Sequence, residues 1–197
     1  MGGRGSYSGK STSSKANPYE NTSKQSEHLG SKSQSELEAM YAGLGVSNPK
    51  GAVEAIDYYT GSGYKAMRHG KYQDDVKLID EVITKQPKWD GTIYRGMNVD
   101  ESFINDLKSS VGDKIELSPN SPTSFSSSYD VSEIFSHSGN GIAVVLEMQN
   151  KRGSSITHNS GIPTEKEVLH KSGEQYKIKK VNRLKDGSYH VVLDDSE

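Results

Sequence analysis

The chain has 197 residues, no cysteine and a formal net charge of −2 at neutral pH. This length suffices for one domain with a hydrophobic core and is too short for two large ones. Without cysteine the chain forms neither disulfides nor cysteine-bound zinc sites. The balanced charge gives no electrostatic reason to expect nucleic acid or an anionic membrane as a partner. No apolar run approaches the roughly 18 residues that a membrane-spanning helix needs.

The N-terminal segment differs in composition from the rest of the chain. Residues 1–34 consist largely of Ser, Gly, Lys, Asn and Thr. Such a segment buries too little apolar surface to offset the entropy lost on ordering. We therefore predict a disordered tail over residues 1–34 and a folded domain over residues 35–197. The start also lacks the apolar core of a signal peptide.

Helix signals dominate the first half of the folded domain. Helices are predicted at residues 35–43, 48–59, 63–67 and 74–85. The first opens on a capping-box pattern from Ser35 to Glu38, and the second is expected to end near Gly61 and Gly63. The fourth helix carries an apolar face made of Val76, Ile79, Val82 and Ile83.

Strand signals dominate after Trp89. Strands are predicted at residues 92–95, 114–117, 142–146, 167–169, 176–181 and 189–193, with helices at 101–109 and 131–137. The apolar run 142–146 is typical of a central strand. Asp186-Gly187 predicts a hairpin turn between the last two strands. Helices followed mainly by strands indicate an α+β fold with a mixed, mostly antiparallel sheet.

Two carboxylates, Glu165 and Glu167, stand one residue apart just before the apolar pair Val168-Leu169. In an extended chain, side chains two residues apart point to the same face, so we predict that both carboxylates lie side by side at a strand entrance. Like charges at that separation repel and raise one pKa. The pattern alone also fits a solvated strand edge, so its interpretation depends on other residues.

Two further motifs precede these glutamates. In Tyr94-Arg95-Gly96, an Arg at a predicted strand end offers a planar donor fork to a phosphate, and the glycine lets a ligand approach the backbone. A surface Arg before a turn is the alternative. Residues 122–128 place a cluster of hydroxyls before a helix. These hydroxyls either cap that helix or orient a carboxylate or an amide.

In this order, the Arg strand, the Ser-x-Ser turn and the Glu-x-Glu-Val-Leu strand resemble the Arg-Ser-Glu class of mono-ADP-ribosyltransferases. Residues 58–64 are similar to a helical stretch that this family carries ahead of its Arg. The resemblance covers residues 36–197 and implies an α+β fold with N-terminal helices and a β-sandwich core. It also implies NAD⁺ as co-substrate, no metal, and a target protein that bears an acceptor arginine. The six histidines show no metal-type spacing.

The resemblance assigns Arg95 and Gly96 to the NAD⁺ diphosphate and makes Glu167 the catalytic carboxylate. Departure of nicotinamide leaves an oxocarbenium-like ribosyl cation, which an anion bonded to the ribose 2′-OH would stabilise. Glu165 would face the acceptor, and in this family a Glu at that position goes with arginine. A guanidinium needs an anion both to position it and to take its proton.

The serine motif admits two registers. Ser124 would brace the catalytic glutamate and the nicotinamide pocket as the first Ser of Ser124-Phe125-Ser126, although Phe125 stands where the family often has Thr. The competing register uses Ser126 and Ser128. Phe135, on the helix that follows, packs either against nicotinamide or in the core. Residues 154–163, ahead of the glutamates, form either an acceptor-recognition loop or a plain surface loop.

Three functions remain open from the sequence. The first is an arginine-specific mono-ADP-ribosyltransferase. An NAD⁺ glycohydrolase is the second, which Glu165 disfavours because hydrolysis needs no acid facing a guanidinium. The third is a non-catalytic, virion-associated binding module, which an intact set of Arg95, Ser124 and Glu167 disfavours. We expect a monomeric effector, encoded by a phage or a bacterium, that acts in the cytoplasm after phage delivery or leaderless secretion.

Overall fold

The computed structural model describes residues 32–195, so nearly all of the predicted tail lies outside the described residues. The described helices are α1 Gln34–Gly43, α2 Pro49–Tyr58, α3 Tyr64–Arg68, α4 Gln73–Lys85, α5 Glu101–Ser109 and α6 Tyr129–Ser136. The strands are β1 Thr92–Val99, β2 Lys114–Glu116, β3 Thr123–Ser126, β4 Ile142–Gln149, β5 Ser154–Ser155, β6 Glu167–His170, β7 Gln175–Arg183 and β8 Tyr189–Asp194. None of the described helices is both long enough and apolar enough to cross a membrane.

Helix α1 begins with a capping box two residues earlier than predicted. Ser33 is the N-cap, its hydroxyl accepts from the Glu36 amide at 3.4 Å, and the Glu36 carboxylate accepts from the Ser33 amide at 2.7 Å. The predicted box at Ser35 and Glu38 is therefore wrong. The chain contains two overlapping Ser-x-x-Glu patterns, and the earlier one adds residues to the helix that buries Leu37.

The second helix does not end at its glycines, which corrects the prediction. Residues Tyr59–Gly63 form a π-helical turn that leads directly into α3. Gly63 makes this turn possible, because an added Cβ would lie 2.4 Å from ring carbons of Tyr58. A π-helical turn contains one residue more than an α-helical turn, so the side chains that follow it point in a different direction. Tyr59 lies at this junction and is almost fully buried.

The strands form one eight-stranded sheet in the order β2-β7-β8-β4-β1-β3-β6-β5. Its pairs are antiparallel except for β4 and β8, which run parallel. The predicted α+β fold, with N-terminal helices ahead of a mixed, mostly antiparallel sheet, is confirmed. The last two strands are joined through a turn at Asp186-Gly187, as predicted, where Gly187 has a φ of 90°.

Two hydrophobic cores pack the helices and the sheet together. Helices α1 to α4 enclose the first core, which also receives Ile156 and Leu169 from the far end of the sheet. The second core gathers side chains from both halves of the sheet, including Phe125 and Val168 on one half and Leu146 on the other. The halves meet at a single register pair between β1 and β3. Both halves therefore face a common core, although they belong to one sheet.

Candidate active site

Arg95 lies in the middle of β1, rather than at a strand end as predicted, and is 5% exposed. Its Nη1 donates to the Ser124 carbonyl at 2.7 Å. Its Nε is buried without a hydrogen-bond partner among the described residues. Burial, together with the charge of Arg68, lowers the pKa of Arg95 to about 10. The side chain thus stays cationic near neutral pH and has a buried N–H to offer an anion.

Arg68, at the end of α3, is a second cation that the sequence reasoning missed. Its Nε and Nη2 are buried and lack hydrogen-bond partners among the described residues. Its guanidinium carbon lies 5.5 Å from the centroid of the Tyr64 ring. The spacing of four residues, which places both side chains on one helix face, was the available signal. Two neighbouring guanidinium groups create a strongly positive environment beside β1.

Ser124 belongs to a strand instead of the predicted turn, since Thr123–Ser126 forms β3 and is fully buried. The Tyr59 hydroxyl donates to the Pro122 carbonyl at 2.9 Å and lies 2.7 Å from the Ser124 hydroxyl. Burial, followed by the charge of Glu167, raises the pKa of Tyr59 to about 12. Tyr59 therefore remains protonated at neutral pH and connects the helical layer to Ser124.

Ser126 braces the loop before β6. Its hydroxyl donates to the Glu165 carbonyl at 2.7 Å and accepts from the Ser128 amide at 3.0 Å. Ser128 occupies the N-cap of α6 but makes no side-chain capping bond, so helix capping does not explain the hydroxyl cluster. Of the two registers, Ser124 with Ser126 is the one whose first serine contacts Arg95.

The two glutamates do not lie side by side on an extended strand, which overturns that prediction. Glu165 ends a 3₁₀ turn that starts at Pro163, and Lys166 adopts the left-handed conformation with φ 48° and ψ 49°. Strand β6 begins only at Glu167. The cause is tertiary, because Ser126 and Ser127 bind the carbonyls of Glu165 and Lys166 and hold the turn.

The surroundings of the two carboxylates differ accordingly. Glu167 is 4% exposed, and its charge adds to the rise in the pKa of Tyr59 and partly offsets the lowering of the pKa of Arg95 by burial. It therefore belongs to the same electrostatic environment as those two side chains. Glu165 is only half-buried, so it remains reachable from outside. A buried carboxylate near a cation and a half-exposed carboxylate on the adjoining turn are suited to different tasks.

Gly96 allows α6 to pack closely against β1, and its predicted contact with NAD⁺ stays a prediction. An added Cβ would lie 1.7 Å from the carbonyl oxygen of Ser132 and 2.7 Å from the amide nitrogen of Ser136, so the backbone of α6 rests directly on β1. Phe135 on α6 is half-buried and falls outside the two cores formed by residues 32–195. Its predicted contact with nicotinamide stays a prediction.

A buried charged cluster lies behind β6. The candidate ligand atoms of His170, Glu174 and Asp195 lie within 4.8 Å of one another. Arg152 already neutralises this cluster, because its Nη2 is 2.6 Å from an Asp195 oxygen and its Nε is 3.6 Å from a Glu174 oxygen. His170 Nδ1 lies 2.9 Å from the same Glu174 oxygen. We assign the cluster to structure, since a guanidinium fills the place of a metal cation.

No protein-family model and no curated protein matches the chain. Several crystal structures do. Vis toxin, an ADP-ribosyltransferase from Vibrio splendidus, aligns with a TM-score of 0.67 at 20% identity over 96% of this chain and 89% of that one, and a crystal structure of Vis contains agmatine. ADP-ribosyltransferase HopU1 of Pseudomonas syringae pv. tomato DC3000 aligns with a TM-score of 0.63 at 19% identity over 81% and 82% of the two chains.

Exoenzyme S from Pseudomonas aeruginosa, in a complex with human 14-3-3 protein beta and bound to carba-NAD, aligns with a TM-score of 0.60 at 15% identity over 75% of this chain and 74% of that one. At such identities these likenesses show a shared fold. The family resemblance drawn from the three motifs is thereby confirmed at the level of the fold.

Proposed function

We propose that this chain, which has the fold of the ADP-ribosyltransferases, transfers ADP-ribose from NAD⁺ to an arginine side chain of a target protein and releases nicotinamide. One observation carries the proposal. Arg95, Ser124 and Glu167 come from three different strands and meet in one buried, electrostatically coupled site. Tyr59 connects them to the helical layer.

The cationic side of the site fits the diphosphate of NAD⁺. Arg95 and Arg68 together hold three buried guanidinium nitrogens without hydrogen-bond partners among the described residues. Buried N–H groups without hydrogen-bond partners are costly, and an incoming anion with several acceptor oxygens offsets that cost. Because a diphosphate carries two negative charges, it matches a pair of guanidinium groups. The carba-NAD bound to exoenzyme S supports a dinucleotide as a ligand of this fold.

Glu167 supplies the negative charge that the chemistry requires. When the bond between ribose C1′ and the nicotinamide nitrogen breaks, its electron pair leaves with nicotinamide, and positive charge develops on the ribosyl group. A carboxylate held in a buried position stabilises that charge without reorganisation. Ser124 and Tyr59 hold β3 and the helical layer together on one side of this carboxylate. The charges of Arg95 and Glu167 interact within the same buried site.

Glu165 is suited to receive the acceptor. It is half-buried on the turn that Ser126 anchors through its carbonyl, so a side chain from another protein can reach it. A guanidinium has a pKa above about 12 and attacks only if a base takes its proton. The Vis complex with agmatine, which carries a guanidinium, supports this class of acceptor.

The proposal is tested with labelled NAD⁺ and agmatine as acceptor. The wild type should form ADP-ribosyl agmatine, and Glu167→Gln should lower that rate by about 10²- to 10³-fold, as expected when one preorganised electrostatic contact is lost. Glu165→Gln should lose transfer while it retains nicotinamide release. Glu54→Gln is the matched control, because Glu54 lies exposed on α2, and it should behave like the wild type.

Two outcomes would contradict the proposal. Nicotinamide release by the wild type without any labelled agmatine or protein would identify an NAD⁺ glycohydrolase. No turnover and no change of melting temperature with NAD⁺ would indicate a non-catalytic module, because a ligand that binds only the folded state must stabilise it.

A further inference from the structure

A cleft of about 480 Å³ opens at Lys166, between the turn that carries Glu165 and the strand that begins at Glu167. Its lining side chains belong to Trp89, Ser127, Ser155, Thr157, His158 and Lys166. Lys166 stands between Glu165 and Glu167 in the chain. The cleft therefore begins next to the carboxylate that we assign to the acceptor, and it is distinct from the Arg95 and Ser124 side of the site.

The walls of this cleft are held by hydrogen bonds. The Ser127 amide donates to the Lys166 carbonyl at 3.1 Å, and the Trp89 amide donates to the Gly153 carbonyl at 2.9 Å. The hydroxyls of Ser155 and Thr157, which also line the cleft, lie 3.1 Å apart. A cleft built on such a frame presents its side chains at fixed positions, as a recognition site requires.

The backbone at Lys166 points to a role for its side chain. Lys166 is one of two described non-glycine residues with positive φ, here 48°. A residue with a Cβ is destabilised by about 1 kcal/mol or more in this region, whereas glycine would be free of strain. The chain nevertheless has a lysine at this position, and that lysine lines the cleft. A glycine at this position would avoid the strain but would supply no ammonium group.

The chemistry of the lining is that of an anion site. Lys166 offers a cation, and none of the lining residues is a carboxylate. The hydroxyls of Ser155 and Thr157 share one hydrogen bond, so one of their two O–H groups remains to donate to a ligand. Burial, followed by the charge of Lys32, lowers the pKa of His158. Lys32 therefore adds positive charge near the same wall. The indole of Trp89, 37% exposed, provides a flat apolar surface on which a peptide can lie.

We infer that this cleft binds an anionic side chain of the target protein, within about three residues of the acceptor arginine, a span that an extended peptide covers in roughly 10 Å. The inference rests on the proposed function. Glu165 and Lys166 place opposite charges next to each other, so the complementary segment carries an arginine beside an acidic residue. Because the arginine must meet Glu165 and the acidic residue must meet Lys166, the order of the two charges fixes the position of the segment in the site.

The test compares short peptides that contain one arginine and differ at a single neighbouring position, which holds Glu, Gln, Lys or phosphoserine. For each enzyme variant, kcat/KM is divided by that for agmatine, which has no neighbouring residues. The wild type should prefer the Glu peptide to the Gln peptide by about fivefold, the factor that one favourable ion pair provides. A still larger preference for phosphoserine would identify the natural anion as a phosphate.

Variants of Lys166 separate this inference from a general effect of charge. Lys166→Gln should bring the ratio of Glu to Gln peptides close to one, and Lys166→Glu should make the Lys peptide the best substrate. Lys185→Gln, a change of an exposed lysine in the β7–β8 turn, should keep the wild-type preference.

The outcomes distinguish this inference from the proposed function. Labelled agmatine with equal use of all peptides by the wild type overturns the inference and leaves the proposed function intact. A preference for acidic peptides that persists in Lys166→Glu also overturns it. No labelling of agmatine or of any peptide overturns both. Because the wild-type comparison needs no variant, the inference stays testable even where a substitution impairs folding.

Discussion

At the residue scale, Tyr59 contributes more to the candidate site than its position in a helix indicates. Its hydroxyl contacts both the Pro122 carbonyl and the Ser124 hydroxyl, so it ties β3 to the helical layer. Its pKa is raised to about 12, mainly by burial, and the phenol thus keeps its proton throughout the neutral range. We interpret Tyr59 as a positioning residue for Ser124.

Replacing Tyr59 with Phe tests this role. The ring still fills its space, while two buried polar groups lose a partner, so we expect a loss of about 1–2 kcal/mol in the free energy of unfolding. Transfer to agmatine should fall by roughly tenfold, less than in Glu167→Gln, and by the same factor from pH 6 to pH 9. Urea unfolding and initial rates measure both effects. Tyr129→Phe, at an exposed ring, should change stability by less than about 0.5 kcal/mol.

The family resemblance assigned roles to Arg95, Ser124 and Glu167 because it depends on the order of short motifs along the chain, and those roles stay predictions. It did not predict Tyr59 or Arg68. Both lie on helical segments whose orientation toward the sheet depends on the π-helical turn Tyr59–Gly63. The extra residue in that turn changes the direction in which the later side chains point. The sequence shows only a pair of glycines there, which equally well predict a helix end.

At the element scale, two irregular turns determine which side chains the helices and strands present to the candidate site. The π-helical turn directs Tyr59 toward β3, and the 3₁₀ turn ending at Glu165 separates the two glutamates. The second turn was not predictable from the local pattern, because alternating charged residues also fit an extended strand. The conformation of this turn depends on hydrogen bonds from Ser126 and Ser127, which lie about 39 residues away in the chain.

The close packing of α6 on β1 yields an element-scale prediction at Gly96. A methyl group there would overlap the Ser132 carbonyl, and neither backbone can move without disturbing the Arg95 strand. We expect Gly96→Ala to cost about 3 kcal/mol or more, measured by thermal and urea unfolding. Gly61→Ala is the matched control, since no atom lies within 4 Å of its added Cβ, and it should be neutral or slightly stabilising. Equal stability of both variants would show that α6 does not rest on Gly96.

At the scale of the whole molecule, the fold class was predictable and the strand order was not. Helical and extended periodicities are local properties, so the sequence predicts helices followed by strands. The pairing of β4 with β8, the one parallel pair in the described sheet, joins segments more than forty residues apart. Such pairings depend on how the completed layers pack together. The buried cluster of Arg152, His170, Glu174 and Asp195 likewise forms only in the folded chain.

This cluster should make the stability of the whole domain sensitive to acid. Burial alone would raise the pKa of Glu174, but the hydrogen bond and charge of His170, together with the charge of Arg152, outweigh it and lower that pKa below its ordinary value of 4.5. A carboxyl whose pKa is lower in the folded state stabilises the fold above its unfolded pKa. That stabilisation is lost as the pH falls through the folded pKa.

We therefore expect Glu174→Gln to lower the free energy of unfolding by about 1–3 kcal/mol at pH 7, because it removes the charge that the buried His170 and the partly buried Arg152 contact. The difference from the wild type should stay nearly constant down to about pH 5, because the pKa of a glutamate in the unfolded state is about 4.3, and shrink progressively at lower pH as the wild type loses this stabilisation. Urea unfolding at pH 7, 5 and 3.5 measures it, with Glu54→Gln as an exposed control. A difference that grows in acid would show that Glu174 does not act through its charge.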